Sequence, residues 1–354
     1  MEGFDWCSVS DIEPQFVQHH YSLPTFGLAT GRTGSGQCLT ISPVAVPAQY
    51  NEVRYMQGLC FPVDIAAGGT LYWGFAFKIN TIPSGTYPTA ITQVVADYNP
   101  GFDGRNCVLA VGVNSSKQLT VGHATSNVFT TIHATGSTVL SNDTWYHIEI
   151  KLISHASTGE VHLKLDGSDE ITLTGADTLN VLGSMSGVIL GCDKQTAGAV
   201  TTSYDDLYIC DTSGSVNNSF LGNVECVSLK PNGAGSSTQF TPSAGSNYDA
   251  VNNATPDMAD YVSSSTSTHK DLYAFEDASD APLATRLRIF GTPEAGGSAS
   301  IYPVCKSGAT ESDGTARSFA GFSKLDEIYE VDPNTSAAWT LSNFNAAEFG
   351  VKVV

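Results

Sequence analysis

The segment Asn142–Thr174, NDTWYHIEIKLISHASTGEVHLKLDGSDEITLT, leaves the chain few choices of fold. Tyr146, Ile148, Ile150 and Leu152 alternate with Trp145, His147, Glu149 and Lys151. Successive strand side chains point to opposite faces, so this pattern predicts a strand with one buried and one wet face. His155–Gly159 is polar and ends in Gly, as a hairpin loop does. Val161, Leu163 and Leu165 then alternate with His162, Lys164 and Asp166, which predicts a second strand. Asp166-Gly167 is a strong turn pair, because Gly accepts the positive φ such a turn needs. Ile171 and Leu173 open a third strand. One apolar face across three antiparallel strands has to be covered, and the other strands of the first half are expected to cover it.

The rest of the chain supplies short strands. Leu71–Ile79 (LYWGFAFKI) is bounded by Gly68-Gly69 and by Ile82-Pro83-Ser84-Gly85. Its aromatics read as sandwich core rather than as a sugar platform. Ile91–Tyr98 ends at Asn99-Pro100-Gly101, and Cys107–Val113, Leu119–Gly122 and Val128–Ala134 continue the meander. Gly187–Leu190 and Ser203–Cys210 complete a first domain, residues 1–211. Residues 212–223, rich in Ser, Gly and Asn, read as a linker. Residues 224–354 form a second β-rich module. Within it Pro231–Tyr248 reads as a long ordered loop, and Lys270–Phe275, Arg286–Phe290, Ile301–Val304, Ala316–Phe322 and Asp326–Val331 as strands. Thr340 stands where a helix N-cap belongs, Leu341–Glu348 has helical spacing, and Gly350 stands where a C-terminal cap would close it. Val351–Val354 reads as a last strand.

Several of these motifs carry a family resemblance. The tryptophan strand Asn142-Asp-Thr-Trp-Tyr-His-Ile-Glu, the Thr158-Gly159 loop, the Leu165-Asp166-Gly167 turn and Tyr204-Asp-Asp-Leu-Tyr-Ile resemble a concanavalin A-like, laminin-G-type jelly roll. Leu229-Lys-Pro-Asn-Gly-Ala-Gly-Ser-Ser-Thr-Gln-Phe240 and the end Trp339-Thr-Leu…Phe349-Gly-Val-Lys-Val-Val354 resemble the second module of tailed-bacteriophage structural proteins. The resemblance implies an all-β chain: a jelly-roll sandwich, then a smaller β-rich domain with one short C-terminal helix. It also implies a non-enzymatic virion component of tail, baseplate or fibre, with head decoration or collar close behind. Its partners would be other virion proteins and host-surface glycan. A free carbohydrate-binding lectin is the alternative.

Composition agrees with a turn-dense β protein, with 34 Gly and only 14% charged residues. The formal charge is −19, with 16 Lys and Arg against 35 acids, which opposes phosphate-backbone binding. No apolar run is long enough to span a bilayer, so no membrane insertion is expected. The start, MEGFDWCSVSDIEPQF, has no basic and apolar signal pattern. With the resemblance, it suggests a chain made in the host cytoplasm and released by lysis. Symmetry of such particles predicts a homo-oligomer, with Phe4 and Trp6 of the N-terminal arm and Phe349–Val354 as contacts. Cys7 is a candidate for a link to a neighbour.

Reactive constellations are sparse. The eight cysteines, Cys7, Cys38, Cys60, Cys107, Cys192, Cys210, Cys226 and Cys305, form no C-x-x-C pair, so buried thiols and disulfides formed after lysis both remain open. Asp326-Glu327-Ile328-Tyr329-Glu330 is the nearest approach to paired catalytic acids, and edge-strand solvation explains it better. Gly31–Gly36 (GRTGSG) lacks the Lys-Ser/Thr ending of a phosphate loop and reads as a turn. Gly296-Gly-Ser-Ala-Ser300 lacks the closing Gly of a serine elbow. Asp97, Asn99 and Asp103 supply oxygen ligands that suit calcium or Asx turns alike. Asp205-Asp206 read as structural, and His19-His20 as a solvated pair. The expectation is therefore no catalytic residue, no cofactor and no metal site.

Overall fold

The computed structural model describes residues 17–18, 25–42, 56–81, 88–96, 107–125, 128–179, 184–193, 200–253, 258–294, 299–319 and 321–354. The calcium candidates Asp97, Asn99 and Asp103, the arm with Phe4, Trp6 and Cys7, and His19-His20 lie outside the described residues. The chain divides into two compact units. The first holds residues 1–214 and 218–227, the second residues 215–217 and 228–354.

The first unit is a jelly-roll sandwich of fourteen strands. They are β1 (Val17–Gln18), β2 (Thr25–Thr30), β3 (Gln37–Ser42), β4 (Met56–Ala66), β5 (Thr70–Ile79), β6 (Thr89–Val95) and β7 (Cys107–Val113). These are followed by β8 (Leu119–Thr125), β9 (Val128–Thr135), β10 (Tyr146–Ile153), β11 (Gly159–Leu165), β12 (Ser168–Ala176), β13 (Ser184–Asp193) and β14 (Thr202–Asp211). One sheet runs β1-β4-β13-β6-β7-β8-β9, the other β12-β11-β10-β5-β14-β3-β2.

The alternation around residue 150 sets this register. Ile148 pairs with Leu165 and Ile150 with Leu163, and all four are buried in the core between the sheets. A slip of one residue would turn that whole set to the other side. Asp166 and Gly167 sit at φ 47° and 82°, the left-handed pair that a tight two-residue hairpin needs. Tyr204 reaches from β14 across the core, and its hydroxyl lies 2.9 Å from the carbonyl oxygen of Ile91 and 2.6 Å from that of Gly191. That contact ties the two sheets together through a buried polar group with partners. The aromatics Trp73, Phe75 and Phe77 of β5 are core residues, as their pattern predicts.

The second unit holds β15 (Pro231–Thr238), β16 (Thr241–Pro242), β17 (Val262–Ser263), β18 (Lys270–Phe275), β19 (Thr285–Gly291), β20 (Ala299–Ser307), β21 (Thr310–Asp313), β22 (Arg317–Phe319) and β23 (Ser323–Tyr329). A short helix α1 (Leu341–Asn345) precedes the last strand, β24 (Glu348–Val353). The main sheet runs β15-β18-β24-β20-β21, with β22 also on β20, and β16-β17 and β19-β23 form two small pairs. Trp339, Phe344 and Phe349 pack with Tyr329 and Leu287 into its core.

Three local expectations are corrected. Pro231–Tyr248 is not simply a loop, because Pro231–Thr238 pairs with β18. The helix ends at Asn345 rather than Glu348. Thr340 caps it by accepting from the Asn343 N–H at 3.2 Å, but Glu348 already belongs to β24. Gly350 lies inside that strand, where a Cβ would fall 1.9 Å from the Asp271 carbonyl oxygen. The glycine is there for close backbone approach, not for a helix cap. Among the described residues no helix is long and apolar enough to cross a membrane.

Candidate functional site

The outer faces of the two sheets are built in opposite ways. In the first sheet β6 and β7 are buried on both sides along their whole length. Their inward residues Ile91, Val94, Val108, Leu109 and Val111 join the main core. Their outward residues form a second apolar cluster, with Cys60, Ala90, Cys107, Ala110, Ala124, Phe129 and Ile189.

Gln93 stands in the middle of that outer cluster. It pairs with Ala110 on one side and Ile189 on the other, and cross-strand partners share a face. Ala110 in turn pairs with Gly122, and Ile189 with Cys60. Along the row the amide thus has Ala110 and Gly122 to one side and Ile189 and Cys60 to the other. Gln93 is fully buried, and among the described residues neither its amide nitrogen nor its amide oxygen has a hydrogen-bond partner. Leaving such a group unpaired costs about 1–3 kcal/mol, so a buried orphan amide calls for an explanation. The two thiols on this face are inert by contrast. Burial pushes both Cys60 and Cys107 up to about 12, which keeps them protonated and poorly nucleophilic.

The second sheet carries a polar layer on its outer face, and a strap of its own chain closes over it. Gly74 makes room, since a Cβ there would fall 2.3 Å from the Tyr208 ring. Tyr208 can therefore lie across β5 and donate its hydroxyl to Glu149 Oε1 at 2.6 Å. Burial, with that carboxylate beside it, pushes the Tyr208 hydroxyl far above its ordinary pKa. The same Glu149 oxygen accepts the Gly222 N–H at 2.7 Å. Arg32 donates to Asp206, to Asn223 and, at 2.5 Å, to the Val224 carbonyl. Asp206 also accepts the Cys226 N–H at 2.7 Å. Burial raises the Asp206 carboxyl even with Arg32 against it. Phe220 seats edge-on against Tyr72 and His162, both at 5.3 Å between ring centroids, with Lys164 over its ring.

The candidates picked out by sequence are mostly structural. Gly31–Gly36 is a turn, as expected, but its Arg32 is the clamp of the strap. Asp205 and Asp206 have the structural role expected of them, receiving Arg32 through its backbone N–H and its side chain. The acids of Asp326–Glu330 do not converge. Asp326 pairs with Arg288 at 2.8 Å, Glu327 with Arg317 at 3.2 Å. Among the described residues no group of three or more His, Cys, Asp or Glu could hold a metal ion. Gln93 and His147 were not singled out. The only signal for Gln93 is one long polar side chain inside the otherwise small and apolar run Thr89–Val95.

No family model matches the chain, and no curated protein matches it. Solved structures do. An endo-β-1,4-glucuronan lyase from the fungus Trichoderma reesei is 15% identical over 55% of this chain and 90% of that one, with a TM-score of 0.39. An alginate lyase of polysaccharide lyase family-7 is 14% identical over 52% and 82%, with a TM-score of 0.35. The alginate lyase from Corynebacterium sp. is 11% identical over 52% and 80%, also at 0.35. Likeness at this level concerns the arrangement of strands in the sandwich and says nothing of chemistry.

These findings correct the resemblance drawn from sequence. The expectation of a non-enzymatic tailed-phage structural protein finds no matching family or curated protein, and the chains that share the fold are polysaccharide lyases. The lectin alternative gains nothing either. The motifs behind that expectation, the tryptophan strand and the Asp-Gly hairpin, specify a sandwich and its register. They do not specify a setting.

Proposed function

We propose that the first unit is a carbohydrate-degrading enzyme of the polysaccharide lyase kind, with its substrate on the outer face of the β1-β4-β13-β6-β7-β8-β9 sheet. The observation that supports this reading is Gln93. A neutral, buried donor without a partner is suited to a carboxylate whose negative charge grows during reaction. In a lyase step a base removes the proton on the carbon next to the sugar carboxylate, and charge builds on the carboxylate oxygens. The glycosidic oxygen on the adjoining carbon then leaves with a proton, and a carbon–carbon double bond remains. Gln93 would donate its amide N–H to the carboxylate throughout. Burial keeps the Cys60 and Cys107 thiols protonated, which argues against either of them as the nucleophile.

Glucuronan and alginate, the polymers named for the similar structures, are the first substrates to try. The chain's net charge of −19 opposes a polyanion at long range. Turnover is therefore expected to rise with moderate salt as that repulsion is screened. The experiment is incubation of the full chain with each polymer and with neutral glucans, reading both unsaturated uronate absorbance and new reducing ends. Unsaturated product from a uronate polymer, lost in Gln93→Met, is the expected result. New reducing ends without unsaturation would mean hydrolysis and overturn the lyase reading. No product from any polymer would overturn the enzyme reading.

A further inference from the structure

The face of the second sheet to which the strap is bound also holds a residue that the proposed activity does not use. His147 lies on β10, facing outward beneath the polar layer, and is 1% exposed. Among the described residues neither ring nitrogen has a hydrogen-bond partner. Its backbone is fixed independently of the strap, since its N–H donates to Asp166 Oδ1 and its carbonyl accepts from the Asp166 N–H, both at 2.8 Å. Glu149, two residues further along the same strand and on the same face, accepts the strap's Gly222 N–H, and Arg32, whose charge acts on the ring, donates to the strap at Val224, so the ring is buried beside the strap's attachments.

From these observations we infer that residues 218–227 form an acid-released latch, closed beside neutral His147 and opened when that imidazole takes up a proton. The charged groups that act on the ring are Glu149 on its own strand, Asp166 in the β10–β11 turn and Arg32 in the β2–β3 turn, while Asp205 and Asp206 on β14 accept from Arg32 and Glu225 of the strap accepts from Thr33. Burial, the largest cause, and Arg32 oppose the imidazolium, and together they outweigh Glu149 and Asp166, which favour it, and hold the ring down at about 4. An ordinary histidine titrates near 6.5. A proton therefore binds the open form far more readily than the closed one, and acid draws the equilibrium toward opening.

The strap is the element that gives way because of how it is held. Its attachments are hydrogen bonds from Arg32 and to Glu149, Tyr208 and Asp206, with Phe220 as its aromatic anchor. The sheet beneath is held from its other side by Phe75, Phe77, Ile148 and Ile150. Lifting a surface segment costs less than opening that core. The inference is independent of the enzyme reading.

Peptide-resolved hydrogen exchange on the full chain tests it, with rates corrected for intrinsic pH dependence. Between neutral pH and about pH 4.5, peptides within 218–227 are expected to lose more than tenfold in protection. Peptides across β10 and β11 are expected to keep theirs. In His147→Gln the strap is expected to stay protected at acid pH, and Arg32→Ala is expected to release it already at neutral pH. Equal strap protection at both pH values in the wild-type chain would overturn the latch. So would loss of strap and core protection together, or an acid release that persists in His147→Gln. If that variant does not fold, His147→Asn takes its place in the same comparison, and acid release that persists in it overturns the latch.

Discussion

Both outer faces of the sandwich bury polar side chains, and they settle them differently. On the second sheet Glu149, Tyr208, Asp206 and Arg32 satisfy one another, and backbone N–H groups of the strap complete the set. On the first sheet Gln93 is equally buried, and among the described residues both ends of its amide are unsatisfied. A satisfied layer is a structural device, and removing one member leaves the others stranded. An orphan amide weakens the fold and is better explained by a ligand that completes it. His147 stands between these cases, inside the satisfied layer but, among the described residues, without hydrogen-bond partners for its ring.

The largest effects test whether the sandwich itself is held as described. Ile150→Ala is expected to cost about 2–5 kcal/mol in denaturant unfolding. Lys151→Ala, which loses a half-exposed pair with Glu160 at 3.0 Å, is expected to cost under about 1 kcal/mol. The reverse order would put the wrong face inward.

Glu149→Leu comes next. It strands the Tyr208 hydroxyl and the Gly222 N–H, and urea unfolding is expected to show a loss of about 3 kcal/mol. Glu149→Gln keeps an acceptor and is expected to lose less. Equal losses in the two variants would show that the layer is held by packing instead.

For His147 the pH dependence has a definite sign. Its closed-state value, about 4, lies below its free value of 6.5. The closed state therefore binds fewer protons, and its stability falls as pH drops through that window. The loss amounts to roughly 3 kcal/mol and levels off below it. In His147→Gln the slope between pH 6.5 and about 4 should flatten. A slope left unchanged would assign the acid sensitivity to other groups.

Much of the fold was legible in the sequence, because period-two alternation and turn chemistry act locally. Asn142–Thr174 dictated three strands, their register and the Asp166-Gly167 turn. Thr340 was legible as a cap for the same reason. The end of the C-terminal helix was not. Phe344, Ala347 and Glu348 fit helical spacing, yet pairing of Glu348–Val353 with β18 and β20 outweighs that local preference. Residues 218–223 of the strap were read as part of a linker from their Ser, Gly and Asn content, and residues 224–227 as the start of the second module. Its partners Arg32, Glu149 and Tyr208 are far away in sequence, and composition carries no trace of them. Gln93 was hidden for a related reason, since a strand buried on both faces shows no alternation to mark its side chain.

The central claim is that Gln93 is kept for a ligand rather than for the fold. Gln93→Met separates the two, because methionine fills similar volume without an amide to satisfy. Paired measurement of urea unfolding and turnover of uronate polymers tests it most directly. The account predicts a variant more stable by about 1–3 kcal/mol that no longer forms unsaturated product. A variant that is destabilised, or that turns over substrate as the wild type does, would contradict it.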